Sequence, residues 1–339
     1  SYDMELIFIT NQMCFEHEPG GEHPERPDRL SAVLSGFQRA QLDSIVTELI
    51  AQPVDEELVL RVHDQELVHK IKETSVNGGG VIDVDTRTSS ASWRAALIAA
   101  GAGLQAVSEL QKGKATAAFC AIRPPGHHAT VSKSMGFCLL NNVAVTAKQL
   151  KEQGEKVLIV DYDAHHGNGT QDVFYSDPDV LFISFHQMPL YPGTGSVNEI
   201  GEGDGVGATI NIPLPPRTTG DVFLSAWDQI ALPAIEEFSP TWLLISAGFD
   251  AHRRDPLTDL GLTAGDYNLL TSQIIQTVPA GRRLVFLEGG YDLLALELST
   301  HAVLHALIGE QTYPEELSNG GIGIEAVNEI KSALLTNEF

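Results

Sequence analysis

VLIVDYDAHHGNGTQ, residues Val157–Gln171, is an apolar run that ends in acid and imidazole groups. Val157 to Asp161 reads as a strand buried on both faces, because parallel strands covered by helices look continuously apolar. Ligands in such sheets sit beyond the carboxyl ends of the strands. Asp163 and His165 stand two apart, so in extended backbone they point to one side. A carboxylate and a neutral imidazole offered together suit a divalent ion of the zinc type. The plainer reading is a polar loop of capping and turn residues.

Working outward, strand-like and helix-like stretches alternate through the whole chain. Strands are expected at Glu5–Thr10, Ala115–Ile122, Val180–Phe185, Thr209–Pro213, Thr241–Ser246 and Leu284–Leu287. Helices are expected over Arg29–Gln41, Ser92–Leu110, Val143–Gln153, Asp221–Phe238, Ala264–Val278, Leu293–Ile308 and Gly323–Leu335, with mixed helix over Asp55–Val76. This alternation implies an α/β fold with a parallel sheet covered on both faces. The Ala/Gly run Ala95–Gly103 suggests close helix packing rather than a phosphate loop. Cys14–Leu30 reads as a loop at the surface or a site rim, with Arg26 and Arg29 solvated by default. Ile82–Thr88 reads as loop, with Asp83 and Asp85 free to line a rim. Asp172–Tyr175 reads as a short helix or turn. His63 and His69 read as polar helix or cap positions. Pro189–Asp204 is a long irregular loop, a kind that is usually functional in a compact domain. With no linker, repeat or low-complexity segment, residues 1–339 read as one domain.

The chain has 339 residues, with 45 Asp and Glu against 21 Lys and Arg, a net charge of −24. No basic cluster stands out, which argues against direct nucleic-acid or anionic-membrane binding. Cys14, Cys120 and Cys138 lack CxxC spacing, so reduced thiols and a cytoplasmic setting are expected. No apolar run approaches the ~20 residues needed to span a bilayer, and no signal peptide opens the chain. Ser1–Asp3, ahead of Met4, are expected to be additional to the natural chain.

Four strand ends carry unusual groups: His127/His128, Asp161/Asp163/His165, Asp250 and Tyr291. In a parallel sheet these ends share one edge and can converge. Asp163, His165 and Asp250 supply three ligands and leave a position open, the pattern of a catalytic zinc site. Such an ion polarises a carbonyl and acidifies water. His127 and His128 are suited to move protons, and Tyr291, freed by Gly289 and Gly290, to donate to a developing oxyanion. Metal-assisted hydrolysis of a carbonyl compound, most naturally an amide, follows.

Six ordered motifs then carry a resemblance: PPGHH (Pro124–His128), GFCLLNNVAV (Gly136–Val145), DYDAHHGNGTQ (Asp161–Gln171), PGTG (Pro192–Gly195), SAGFDAHRRDPL (Ser246–Leu257) and EGGYDL (Glu288–Leu293). Together they resemble the zinc-dependent histone deacetylase family. That family includes bacterial histone deacetylase-like amidohydrolases and acetylpolyamine amidohydrolases. Asn168, where one branch has Asp, makes the chain similar to the class II branch. The resemblance implies an arginase-deacetylase α/β fold with zinc held by Asp163, His165 and Asp250. It implies His128 as general base and acid, His127 paired with Asp161 as its electrostatic helper, Asn168 in the catalytic set, and Tyr291 polarising the acyl carbonyl. Phe137 and Tyr191 would flank an acyl-lysine tunnel, with Gly136, Leu257 and Gly289 beside it and Asp85 as a rim carboxylate. A structural K+ or Na+ would use Asp161, Ser184 and the carbonyls of Asp163, His165 and Phe185. A second monovalent site would lie near Phe174 and Val180. Arg29 would border an internal acetate channel.

The expected reaction is removal of an acetyl or related acyl group from lysine side chains of a protein or peptide by metal-activated water. Acetylated polyamines are the alternative substrate, mildly disfavoured by Leu257 where a polyamine-selective branch is acidic. A non-catalytic acyl-lysine reader is opposed by the full set of ligands, imidazoles and Tyr291. An arginase-like two-metal hydrolase would need more ligands near Asp163 than the sequence offers. Oligomeric state is left open.

Overall fold

The computed structural model describes residues 5–336. The expectation about Ser1–Asp3 lies outside the described residues, as do the two ends of the 1–339 domain range.

Eight parallel strands form one sheet: β1 (Leu6–Thr10), β2 (Val46–Ile50), β5 (Ala117–Cys120), β6 (Val157–Asp161), β7 (Val180–Gln187), β8 (Thr209–Leu214), β9 (Trp242–Ala247) and β10 (Arg283–Leu287). Their order is β2-β1-β5-β10-β9-β6-β7-β8. A separate antiparallel hairpin pairs β3 (Gly79–Asp83) with β4 (Thr86–Ser89). β6 lies between β7 and β9, with Asp161 level with Ser184 on one side and Ser246 on the other. All its residues are buried, which explains its unbroken apolar run. Each fully buried Val, Leu or Ile there contributes about 1.5–3 kcal/mol.

Helices Asp28–Ala40, Leu293–Leu307 and Ala264–Ile275 pack side by side as one layer, and Ser92–Leu110 packs against Asn142–Glu152 in another. In that second layer small residues set the spacing. A Cβ on Gly103 would collide with Thr146 and the Phe286 ring, and one on Gly101 with the backbone at Gln52. The core is continuous from β1 to the last helix, Ile324–Thr336.

Several local expectations are corrected. Ile82–Thr88 is not loop: it falls within the β3–β4 hairpin, and Asp85 sits at its turn. Arg29 is fully buried rather than solvated, because Glu25 at 2.7 Å partners it. His63 is neither helix face nor cap. It is buried between elements, its Nδ1 2.7 Å from the Thr130 carbonyl and its Nε2 accepting from Asn141 N–H at 2.9 Å. The short helix near Asp172 starts earlier, at Asn168, and runs to Phe174. The helix expected over Asp221–Phe238 is interrupted by a π turn at Trp227–Ala231. Pro233 follows it, and a proline has no N–H to offer the carbonyl one turn back.

The five adjacent strands β5, β10, β9, β6 and β7 all end on one edge of the sheet. The segments that leave the first four carry His127 and His128, Glu288 to Tyr291, Asp250, and Asp163 with His165, while Ser184 and Phe185 lie on β7 itself.

Candidate active site

The carboxylates and imidazole after β6 and β9 are held by backbone before any ion is considered. Asp163 accepts from His165 N–H and Gly289 N–H, each at 2.9 Å. Asp250 accepts from Ala164 N–H at 2.8 Å, and its other oxygen lies 2.9 Å from His165 Nδ1. One donor atom from each of Asp163, His165 and Asp250 falls within 4.8 Å of the others. Glycines make the room. A Cβ on Gly248 would land inside the Asp163 carboxylate, and one on Gly289 would come 2.7 Å from both Asp163 and Asp250. Burial disfavours charge on His165, yet its bonds to Asp163 and Asp250 draw the imidazole up to about 10. Two buried carboxylates that close demand a cation between them, and the oxygen, nitrogen, oxygen set fits zinc.

Beside this cluster stand the two adjacent histidines. His127 Nδ1 lies 2.7 Å from Asp161 Oδ2. Burial works against charge there, but Asp161 and Asp163 lift His127 well above the ordinary imidazole range. His128 moves the other way: burial and then the neighbouring His127 and His165 push it well below that range. Its Nδ1 is 2.7 Å from Asn168 Oδ1. The Asn168 amide nitrogen faces Met135 Sδ at 3.5 Å, so its oxygen points at the ring. His128 therefore carries its proton on Nδ1 and keeps a free lone pair on Nε2. Glu288 ties the segment down by accepting from Gly126 N–H at 2.9 Å and His127 N–H at 3.1 Å.

Tyr291 follows the Gly289–Gly290 pair. Its Oη would lie 3.0 Å from a Cβ on Gly289, on the same side as the two carboxylates. Arg29 lies 5.0 Å over its ring and donates to the carbonyls of Gly290 (2.6 Å) and Glu288 (2.7 Å). Burial raises the phenol well above its ordinary range, so it stays a neutral donor.

A cavity of about 220 Å³ opens onto these groups, walled by His128, Phe137, His165, Tyr191, Leu257 and Tyr291. Asp85 and Gly136 border it too. The Asp85 carboxylate accepts from Gly136 N–H at 3.1 Å and from Thr86 Oγ1 at 2.8 Å, and Thr86 accepts from Phe137 N–H. Phe137 is edge-on to Tyr291 with ring centres 5.8 Å apart, and His128 to Tyr191 at 5.5 Å. A larger hollow of about 830 Å³ runs past Lys151, Asp177 and Glu202. Of the candidate residues only Asn168 borders it, so the smaller cavity is the one joined to the chemistry.

The residues singled out from sequence thus converge: His127, His128, Asp161, Asp163, His165, Asn168, Asp250 and Tyr291 in the centre, with Gly289 bonded to Asp163, and Asp85, Gly136, Phe137, Tyr191 and Leu257 around the cavity. Ser184 and Phe185 lie on β7 beside Asp161. No hydrogen bond to the carbonyl oxygens of Asp163 and His165 is found among the described residues. Sequence reasoning missed Glu25, Arg123, Asp255 and Glu288 as partners. Glu25 lies between two buried guanidinium groups, 2.6 Å from Arg123 Nε and 2.7 Å from Arg29 Nη1. Glu25 and Arg29 are only four residues apart, but Arg123 comes from 98 residues away, and no local spacing signals that the three meet in the interior.

The chain matches the family model described as "Histone deacetylase domain" over residues 23–307. It is 41% identical over 308 residues to a "Probable deacetylase" of Archaeoglobus fulgidus, covering 89% of this chain and 86% of that protein. It is 40% identical to "Histone deacetylase 15" of Arabidopsis thaliana over 85% of this chain, though that spans only 53% of the plant protein. Among solved structures, the crystal structure of the HDA15 HD domain superposes with a TM-score of 0.89 at 33% identity, covering 99% of both chains. The eight-stranded parallel sheet with flanking helices is the arginase-deacetylase fold, and the chain belongs to the histone deacetylase family.

Proposed function

We propose that the protein is a zinc-dependent amidohydrolase that removes an acetyl or related acyl group from the side-chain amide of lysine in a peptide or protein. One observation carries the reading. The His128 imidazole, Tyr291 and the Asp163–His165–Asp250 cluster meet at one small cavity with aromatic walls. Phe137 and Tyr191 suit the apolar methylenes of an acyl-lysine, and Asp85 at the rim suits its main-chain amide. Asp163, His165 and Asp250 would hold zinc, which when bound acts as a Lewis acid and lowers the pKa of water. His128, neutral and with a free Nε2, takes the proton of the attacking water. The amide oxygen, as it gains charge, receives a hydrogen bond from Tyr291. The proton on His128 then passes to the leaving amine. His127, held charged by Asp161, keeps His128 from being protonated too early.

Leu257 in the cavity wall, rather than a carboxylate, favours acyl-lysine over acetylated polyamines. A structural K+ or Na+ at Asp161, Ser184, Phe185 and the carbonyls of Asp163 and His165 is supported by the level pairing of Asp161 with Ser184. The three cysteines are free and buried, which supports a reducing, cytoplasmic setting. No helix among the described residues is long and apolar enough to cross a membrane. A single catalytic domain, expected over residues 1–339, is supported by the eight-stranded sheet and the continuous core among the described residues.

The test is turnover of an acetyl-lysine peptide and of acetylputrescine, side by side, on zinc-loaded and chelated protein. Peptide turnover that chelator abolishes and zinc restores is expected. Metal-independent turnover would reject the mechanism, and a preference for acetylputrescine would replace the substrate.

A further inference from the structure

Asp255 is a buried carboxylate that pairs with no cation among the described residues. Its two oxygens are both used, and both accept backbone N–H groups. Oδ1 accepts from Leu257 at 2.8 Å and Oδ2 from Tyr291 at 2.9 Å. Leu257 and Tyr291 both wall the reaction cavity. Asp255 itself belongs to the segment that follows Asp250, and its own N–H donates to the His252 carbonyl at 3.0 Å. Burying a carboxylate without a cation is costly unless its hydrogen bonds are satisfied, and the two N–H groups of Leu257 and Tyr291 satisfy this one.

The turn Glu288–Tyr291 is pinned on both sides of Gly290. Arg29 takes the Glu288 and Gly290 carbonyls, Gly289 N–H goes to Asp163, and the Gly289 carbonyl receives Phe249 N–H at 3.0 Å. Gly290 itself has φ +114°, a conformation that glycine adopts freely and other residues rarely do. The peptide unit that follows is gripped at both ends, its Gly290 carbonyl by Arg29 at 2.6 Å and its Tyr291 N–H by Asp255 at 2.9 Å, ahead of the helix that Asp292 caps at Leu293.

We infer that Asp255 is a positioning residue that holds Tyr291 toward the metal-ligand cluster by gripping, opposite Arg29, the N–H end of the Gly290–Tyr291 peptide. This rests on the reading of Tyr291 as the oxyanion donor. An asparagine at 255 keeps the shape and offers only one acceptor oxygen, so one of the two N–H groups loses its partner. Misplacing a reacting group by about 1 Å costs on the order of 10²-fold in rate.

The experiment compares wild type, Asp255→Asn, Tyr291→Phe and the double variant on an acetyl-lysine peptide, with zinc content measured for each. Asp255→Asn is expected to lower kcat on the order of 10²-fold, with KM within about twofold and zinc retained. In the Tyr291→Phe background it is expected to change kcat little, because the donor it positions is already gone. A kcat near wild type, losses that multiply in the double variant, or loss of zinc would each overturn the inference. If Asp255→Asn does not fold, Asp255→Ser carries the same comparison. A second readout needs no turnover. In protein labelled with 3-fluorotyrosine, the ¹⁹F signal that Tyr291→Phe removes should shift or broaden in Asp255→Asn. An unchanged signal overturns the inference even if no acyl-lysine is hydrolysed, whereas a wild type inactive on every acyl-lysine with a shifted signal would defeat only the deacetylase reading.

Discussion

At the scale of single residues, the centre depends as much on absent side chains as on present ones. Gly248 leaves the space that the Asp163 carboxylate fills. Gly248→Ala is therefore expected to push Asp163 aside and cut zinc affinity by at least tenfold, read as metal bound per chain after dialysis. Retained zinc at wild-type affinity would show that the loop can yield. Tyr291→Phe removes one donor to the developing oxyanion and keeps the ring that packs beside Arg29 and Phe137. A loss of about 10²–10³-fold in kcat with little change in KM is the expected cost of one such donor. A kcat within a few-fold of wild type would remove Tyr291 from the reaction. These two positions were unequally legible. Asp163 and His165 announce themselves by local spacing, and Tyr291 by its glycines. The need for glycine at 248 is visible only once β6 and β9 lie side by side. The same holds for Glu288, which reaches across to Gly126 and His127.

At the scale of elements, the central strands were readable because burial on both faces forces an unbroken apolar run. β2 was not, since it lies at the sheet edge with Thr47, Glu48 and Ile50 exposed. The β3–β4 hairpin reads as loop because Gly79, Gly80, Asp83 and Asp85 are poor strand formers or turn residues. A lone two-stranded hairpin is marginal in water, so its place depends on side-chain ties. Ser75 donates to the Ser89 carbonyl at 2.8 Å, and Asp85 ties the turn to Gly136. Asp85→Ala should release the turn and with it the Gly136–Phe137 wall of the cavity. We expect KM for an acetyl-lysine peptide to rise about tenfold, the worth of roughly 1.4 kcal/mol, with a smaller change in kcat. Amide exchange over residues 79–89 should quicken in parallel. Unchanged KM and unchanged exchange would show that the hairpin is held without Asp85.

At the scale of the whole molecule, stability should depend on buried imidazoles that stay neutral. Burial is the main cause that brings His17, His63 and His186 down to about 4. The bonding agrees. His63 accepts Asn141 N–H on Nε2, leaving Nδ1 to donate to Thr130, a pattern that only the neutral ring can satisfy. His186 sits between Ser184 Oγ at 2.9 Å and the Gly195 carbonyl at 2.8 Å, which a neutral ring satisfies by accepting from the hydroxyl and donating to the carbonyl. The ordinary value is 6.5, so below it the unfolded chain binds protons that the folded protein refuses. Their contribution is therefore complete above pH 6.5 and is lost as pH falls toward 4. Each proton adds a slope of about 1.4 kcal/mol per pH unit, and three together up to about 4. Urea unfolding of the zinc-loaded protein should show a midpoint that drops steeply between pH 6.5 and 4. His63→Gln can both donate and accept without titrating, so it should remove about one proton's share of that slope. A midpoint that stays level over this range would mean that the folded protein takes up these protons as readily as the open chain, and that the three rings are not held neutral by their surroundings.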